Sequence, residues 1–260
     1  MPNSSTRSHM SQWSAKQGRA GLCVLLDPDR TEISEIAQYA SIAQECGVAA
    51  IFMGSSFLSS GKFDLAVRTC REACSLPVIL FPGDHSQLSA SAHAVLYLSM
   101  ISGRNPELLI GEHVRSAFQV RRLGLETLST GYMLVESGRT TSAQFMSNTQ
   151  PLPADKPDIA AAHALAGELL GLQFIYMDAG SGALCPVGTG MVRAVSSVIS
   201  VPLIVGGGLR EPRQIQERVE AGADLIVVGT ALERGGFSAS YLRELVNASS
   251  CRRLIQAGAE

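Results

Sequence analysis

A single-domain (β/α)8 barrel is the fold this sequence predicts. Short β-rich apolar runs recur eight times, and helix-like segments separate most of them, as a parallel sheet requires. Eight such units fill most of the 260 residues, the size of a closed barrel rather than a doubly wound open sheet.

The runs at 21–26, 49–53, 77–81, 94–98, 131–135, 172–177, 201–205 and 224–228 read as strands. Helical patterning occupies 32–46, 62–74, 106–123, 155–170, 187–199, 212–221 and 239–257. The stretch after the third strand, "FPGDHSQLSASAH", is too short and irregular for more than a turn or two of helix. An internal echo supports the count. "GVAAIFMGSS" from Gly47 resembles "GLQFIYMDAGS" from Gly171, and Pro77 and Pro202 open the strands that follow, 30 and 31 residues later. Strands two and three thus echo six and seven, as a duplicated half-barrel would. Residues 1–10, "MPNSSTRSHM", are polar, end in a Ser-His-Met resembling a cloning scar, and read as a leader before a barrel domain at 11–260.

Composition bounds the function. The chain is 46 % hydrophobic and 17 % charged, enough to bury a sizeable core. A net charge of −2 argues against a broad nucleic-acid surface. No apolar stretch approaches the roughly 20 residues of a membrane span. The six cysteines, 23, 46, 70, 74, 185 and 251, lack metal-ligand spacing and read as free thiols in a reducing cytoplasm.

A barrel of this kind places its chemistry at the C-terminal strand ends. Gly206, Gly207 and Gly208 leave backbone N–H groups uncovered after strand seven, and Gly229 with Thr230 does the same after strand eight. Such loops commonly hold a phosphate. "YMDAGSGA", which closes strand six, adds a carboxylate, Asp178, and a "GSG" able to fold over the same anion. Across the mouth, Asp27 in "LLDPDR" faces the hydroxyls of Ser55 and Ser56; with ligand phosphate oxygens these suit Mg2+. Asp29 reads as a helix N-cap or turn residue. Among His85, His93, His113 and His163, only His85 stands at a strand end. The segment 136–153 is a lid or a plain surface excursion.

Taken together, "LLDPD", "GSS", "FPGDHSQLS", "SGRNPELLIGEH", "YMDAGSGA", "VGGGLR" and "VVGTALE" resemble the geranylgeranylglyceryl phosphate synthase family, which includes heptaprenylglyceryl phosphate synthases, over about residues 20–234. The likeness is to the family's second group. It implies transfer of a prenyl group, geranylgeranyl by expectation, from its diphosphate to the 3-hydroxyl of sn-glycerol 1-phosphate, with Mg2+ assistance and release of diphosphate. It places glycerol phosphate on Tyr176, Met177, Asp178, Ala179, Gly180, Ser181, Gly182, Gly207, Gly208, Gly229 and Thr230, assigns catalytic roles to Asp178 and Tyr176, and gives the metal to Asp27 and Ser56. It also implies a cytoplasmic homo-oligomer, a dimer or hexamer, without a transmembrane segment and peripheral to a membrane. Two departures stand out: Asp178 where the family usually carries Glu, and "GSS" in place of its usual "GGS". A prenyl groove over Tyr97, Met100, Ile101 and Met133 is expected, though all four also suit an ordinary core. The rival classes are a phosphosugar isomerase or lyase barrel and a non-catalytic glycerol phosphate or lipid binder.

Overall fold

The computed structural model describes residues 5–13, 18–235 and 237–250. Eight parallel strands close on themselves in sequence order: β1 (Gly21–Leu26), β2 (Ala50–Met53), β3 (Val78–Leu80), β4 (Ala94–Ser99), β5 (Glu126–Leu134), β6 (Phe174–Asp178), β7 (Leu203–Gly206) and β8 (Leu225–Val228). The β8 to β1 pairing, with Leu22 opposite Ile226, completes the ring. All eight predicted strands are present. β5 starts five residues earlier than the apolar run suggested, because "ETLST" is polar in sequence yet pairs in full with β4.

Side chains alternate across the wall with the period of two that a strand imposes. Phe52, Ile79, Leu96, Leu128, Phe174, Ile204 and Leu225 fill the barrel interior. Ile51, Met53, Leu80, Val95, Ile175, Met177 and Val205 face outward against the helices. That outer layer is α2 (Ile33–Glu45), α3 (Phe63–Ala73), α4 (Glu112–Leu123, entered through a π turn at Glu107–Gly111), α6 (Pro157–Leu169), α7 (Thr189–Val198), α8 (Pro212–Ala221), α9 (Thr230–Gly235) and α10 (Ala239–Ser249), while α5 (Ser142–Ser147) lies at the C-terminal mouth. The last predicted helix extends beyond residue 250, outside the described residues. As expected, the run from Phe81 to His93 holds only turns, which leaves a gap in the helical layer beside β4.

The leader has a structural place that its polarity did not suggest. Residues Thr6–Ser11 form α1, whose first N–H groups, of Thr6 and Arg7, donate to the Glu126 carboxylate at 2.6 and 3.1 Å. His9 Nε2 bonds the Ala49 carbonyl, and Met10 is fully buried within the interior cluster, at the N-terminal end of the barrel.

Among the described cysteines all five are free thiols; Cys251 lies outside the described residues. No helix among the described residues is long and apolar enough to cross a membrane.

Candidate active site

A cavity of about 620 Å³ opens at the C-terminal end of the barrel. On one side it is floored by aromatic rings. Phe81 stacks on Tyr176 at 5.2 Å, and Tyr132 meets Tyr176 edge-on at 5.4 Å. Above them stands Asp178, a buried carboxylate at the end of β6. Tyr132 donates to its Oδ2 at 2.6 Å and the Gly180 N–H to its Oδ1 at 2.8 Å. Burial pushes the Asp178 pKa above the usual carboxylate range, and the two donors pull it back only in part. The Tyr176 hydroxyl makes no hydrogen bond to another described residue, and burial raises its pKa well above the ordinary phenol value, so it is a neutral donor open to a ligand.

A set of glycine-rich loops lies beside this carboxylate. Ser181, Gly182, Gly207, Gly208, Gly229 and Thr230 all line the cavity, and Ser181 Oγ reaches Thr230 Oγ1 at 3.1 Å. The backbone N–H groups of Ser181, Gly182, Gly207 and Gly208 donate to no other described residue. Free N–H groups converging at barrel loops are what an anion needs. Gly207 has φ +81°, and a Cβ there would lie 2.5 Å from Asp178 Oδ1 and 2.6 Å from the Gly180 nitrogen, so only glycine fits against the Asp178 loop. Gly180 is also constrained, since a Cβ would strike Thr141 Oγ1 at 2.5 Å. Thr141 caps α5, whose Ala143 and Met146 line the cavity. The 136–153 segment therefore covers the mouth.

Across the cavity, Asp27 Oδ1 accepts from the Asp29 N–H at 3.0 Å and its Oδ2 from Ser55 Oγ at 3.1 Å, with Arg30 Nε at 3.4 Å. Burial raises the Asp27 pKa. Ser55, the extra hydroxyl of "GSS", thus has a role: it is the serine bonded to Asp27, while Ser56 lines the cavity without a hydrogen bond to another described residue. Asp29 is a turn residue, the second of its two readings, and does not cap α2, whose N-cap is Glu32. Its carboxylate instead accepts from the N–H and hydroxyl groups of Ser59 and Ser60, which hold its pKa down to about 2. Among the described residues no three His, Cys, Asp or Glu side chains gather into a metal cage. One carboxylate and neighbouring hydroxyls fit a hard cation that takes its remaining ligands from a substrate's phosphate oxygens.

Three residues of the predicted β6 run, Met177, Ala179 and Gly180, do not line the cavity. β6 alternates, so Phe174, Tyr176 and Asp178 face inward while Met177 and Ala179 pack into the outer layer. Ile101 and Met133 likewise pack between strands and helices, whereas Tyr97 and Met100 line the cavity. The apolar part of the cavity runs through the gap after β3, along Leu88, Val95, Tyr97 and Val120, onto the outer face of β4 and against α4. His85 stands at its edge, its Nδ1 2.8 Å from Glu112 on α4.

This combination matches one described family. The model for the PcrB family covers residues 12–249. The chain belongs to the PcrB family. Its curated relatives include the geranylgeranylglyceryl phosphate synthases of Chitinophaga pinensis, 46 % identical over 89 % of this chain and 91 % of that protein, and of Thermococcus kodakarensis, 45 % identical over 82 % and 84 %. Among solved structures, the (S)-3-O-geranylgeranylglyceryl phosphate synthase of Thermoplasma acidophilum in complex with its substrate sn-glycerol-1-phosphate superposes with a TM-score of 0.90 at 28 % identity, covering 95 % of this chain and 99 % of that one. An N-acetylmannosamine-6-phosphate 2-epimerase of Clostridium perfringens, at 13 % identity and a TM-score of 0.53, shares the barrel fold alone. In this PcrB-family chain the motifs did not reveal Phe81, Gln87 or Tyr132. The buried Gln87 amide accepts from the Ser55 N–H at 3.1 Å and donates to the Ser55 carbonyl at 2.8 Å, fixing the loop beside Asp27. For Tyr132 the inward phase of β5 was the available signal.

Proposed function

We propose that this protein is a prenyltransferase that joins sn-glycerol 1-phosphate, through its 3-hydroxyl, to geranylgeranyl diphosphate and releases diphosphate, with Mg2+ as cofactor. The observation that carries it is one cavity holding a buried carboxylate next to unpartnered N–H groups at one end and an apolar slot long enough to leave the barrel at the other. The relatives' shared name and the glycerol phosphate bound by the Thermoplasma protein supply the substrates.

The chain's own residues divide the work. The loops of Ser181, Gly182, Gly207 and Gly208 anchor the phosphate, which fixes the glycerol hydroxyl near Asp178 and removes the entropy cost of a bimolecular encounter. Asp178 accepts the hydroxyl proton as the oxygen forms its bond to C1 of the prenyl chain and the C1–diphosphate bond breaks. The Tyr176 hydroxyl orients the glycerol. Asp27 and Ser56, with Ser55 behind them, would hold Mg2+. When bound, that ion would supply charge neutralisation for the diphosphate leaving group. Val95, Tyr97 and Val120 take the tail.

Self-association is part of the proposal. Ile110, Val114 and Phe118 form an exposed apolar stripe at helical spacing, and Leu165, Leu169 and Leu170 form another at the end of α6. Phe57, Phe145, Met146 and Leu184, exposed around the mouth, suit an enzyme that hands a lipid product to a membrane surface. The deciding experiment is turnover of labelled glycerol 1-phosphate with prenyl diphosphates of several lengths, with Mg2+ and with chelator. Metal-independent isomerisation of a phosphosugar, with no ether product, would overturn the proposal.

A further inference from the structure

We infer that Tyr132 is a positioning residue for Asp178, setting the depth and tilt at which its carboxylate meets the glycerol hydroxyl. This deepens the prenyltransferase proposal and rests on it.

The geometry comes from the β5–β6 pair. Tyr132 lies opposite Tyr176, and Leu134 opposite Asp178, so the Tyr132 hydroxyl reaches diagonally upward by one inward position. Its ring cannot swing away: Tyr176 meets it at 5.4 Å and Phe81 at 6.0 Å. The 2.6 Å contact to Oδ2 is in the range of a charge-assisted O–H···O⁻ bond. Because Gly180 N–H holds Oδ1, each carboxylate oxygen has its own donor and the plane of the carboxylate is fixed. Each oxygen still has a lone pair for a substrate proton. A glutamate at this position would carry its carboxylate about 1.5 Å further along the side chain, away from a tyrosine hydroxyl that the packed ring holds in place. In this chain the Tyr132 contact is therefore matched to aspartate.

Few ionisable groups face the pair. β5 contributes Tyr132 and β6 contributes Tyr176, with Cys23 of β1 behind Tyr176; β7 contributes glycines, Gly206 and Gly207. Arg210, after β7, donates to the Ala183 carbonyl. Tyr132 itself is pushed well above the ordinary phenol value by burial and by Asp178, so it stays a proton donor throughout the working range.

The test compares wild type, Tyr132→Phe, Asp178→Asn and Asp178→Glu in pH profiles of kcat and kcat/KM. Losing a hydrogen bond to a charged group should lower kcat of Tyr132→Phe about 10- to 100-fold at neutral pH and move its acid limb up by about 1–2 pH units. The KM for prenyl diphosphate should stay put. The Tyr132→Phe and Asp178→Glu effects should be non-additive when combined. An equal loss at every pH with the limb unmoved, or an unchanged kcat, overturns the inference. A carboxyl 13C titration of Asp178, assigned by difference from Asp178→Asn, reads the same contact without turnover: its pKa must rise in Tyr132→Phe, and an unchanged value refutes the positioning role. Wild-type protein that makes no ether product would instead count against the prenyltransferase proposal and leave this titration decisive for Tyr132.

Discussion

Placing a methyl group at Gly207 and at Gly182 separates backbone strain from steric collision at the anion end. Both glycines have positive φ, +81° and +76°. For any other residue that conformation costs about 1–2 kcal/mol. At Gly182 nothing lies within 4 Å of an added Cβ, so strain is the whole effect. At Gly207 the same atom would sit 2.5 Å from Asp178 Oδ1, 2.6 Å from the Gly180 nitrogen and 2.7 Å from the Ala179 nitrogen. These are backbone and buried-carboxylate neighbours that cannot rotate aside, and overpacking of that kind costs a further 1–3 kcal/mol or so. At about 2–4 °C per kcal/mol for a domain of this size, Gly182→Ala should lower Tm by roughly 2–8 °C and Gly207→Ala by roughly 4–20 °C. Calorimetric melting gives the first comparison. Titration with glycerol 1-phosphate gives the second: Gly207→Ala should weaken binding more than Gly182→Ala, because it displaces the Asp178 loop as well as crowding the N–H groups. Equal Tm losses, or an unchanged Kd for Gly207→Ala, would refute the packing described for this loop.

Four further outcomes are expected. Asp178→Asn keeps shape but accepts no proton, so saturating turnover should fall about 10²- to 10⁴-fold; a near-normal maximal rate removes Asp178 as base. Since burial raises the Asp178 pKa, the base is lost at a pH above the ordinary carboxylate range. The kcat/KM profile should bend there, and the same protonation favours the folded state at low pH, a contribution lost as pH rises through that value. Asp27→Asn should abolish transfer while glycerol phosphate affinity by calorimetry stays within about twofold, because the phosphate site proposed above is a separate, backbone one; parallel loss of both refutes that division. Met10→Ala should cost about 2–5 kcal/mol if α1 plugs the barrel, and an unchanged denaturation midpoint shows that it does not.

The sequence made the strands legible because parallel strands buried on both faces read as unbroken apolar runs. It could not show which of two adjacent residues faces the cavity: Met177 and Tyr176 are equally apolar runs in print, and only the β6 pleat separates them. The acid at 178 was visible from its odd place at a strand end, whereas its partner Tyr132 looks like one more aromatic residue in a strand. Ser55 and Gln87 were opaque for another reason. Their contacts join loops 32 residues apart, and no local pattern marks such a pair. α1 went unread because one buried methionine in a polar hexapeptide carries no periodicity.

The gap in the helical layer after β3 has a consequence for how a product departs. An eight-stranded barrel is filled by its own side chains, so a C20 tail has no room to coil inside. With Val95 and Tyr97 on the outer face of β4 and α4 opposite, a tail bound as proposed would lie sideways, between wall and helix. Headgroup and tail would then let go of separate surfaces. Each added isoprene unit should slow dissociation while leaving the affinity for glycerol phosphate alone untouched, which makes release a property of the slot and recognition a property of the glycines.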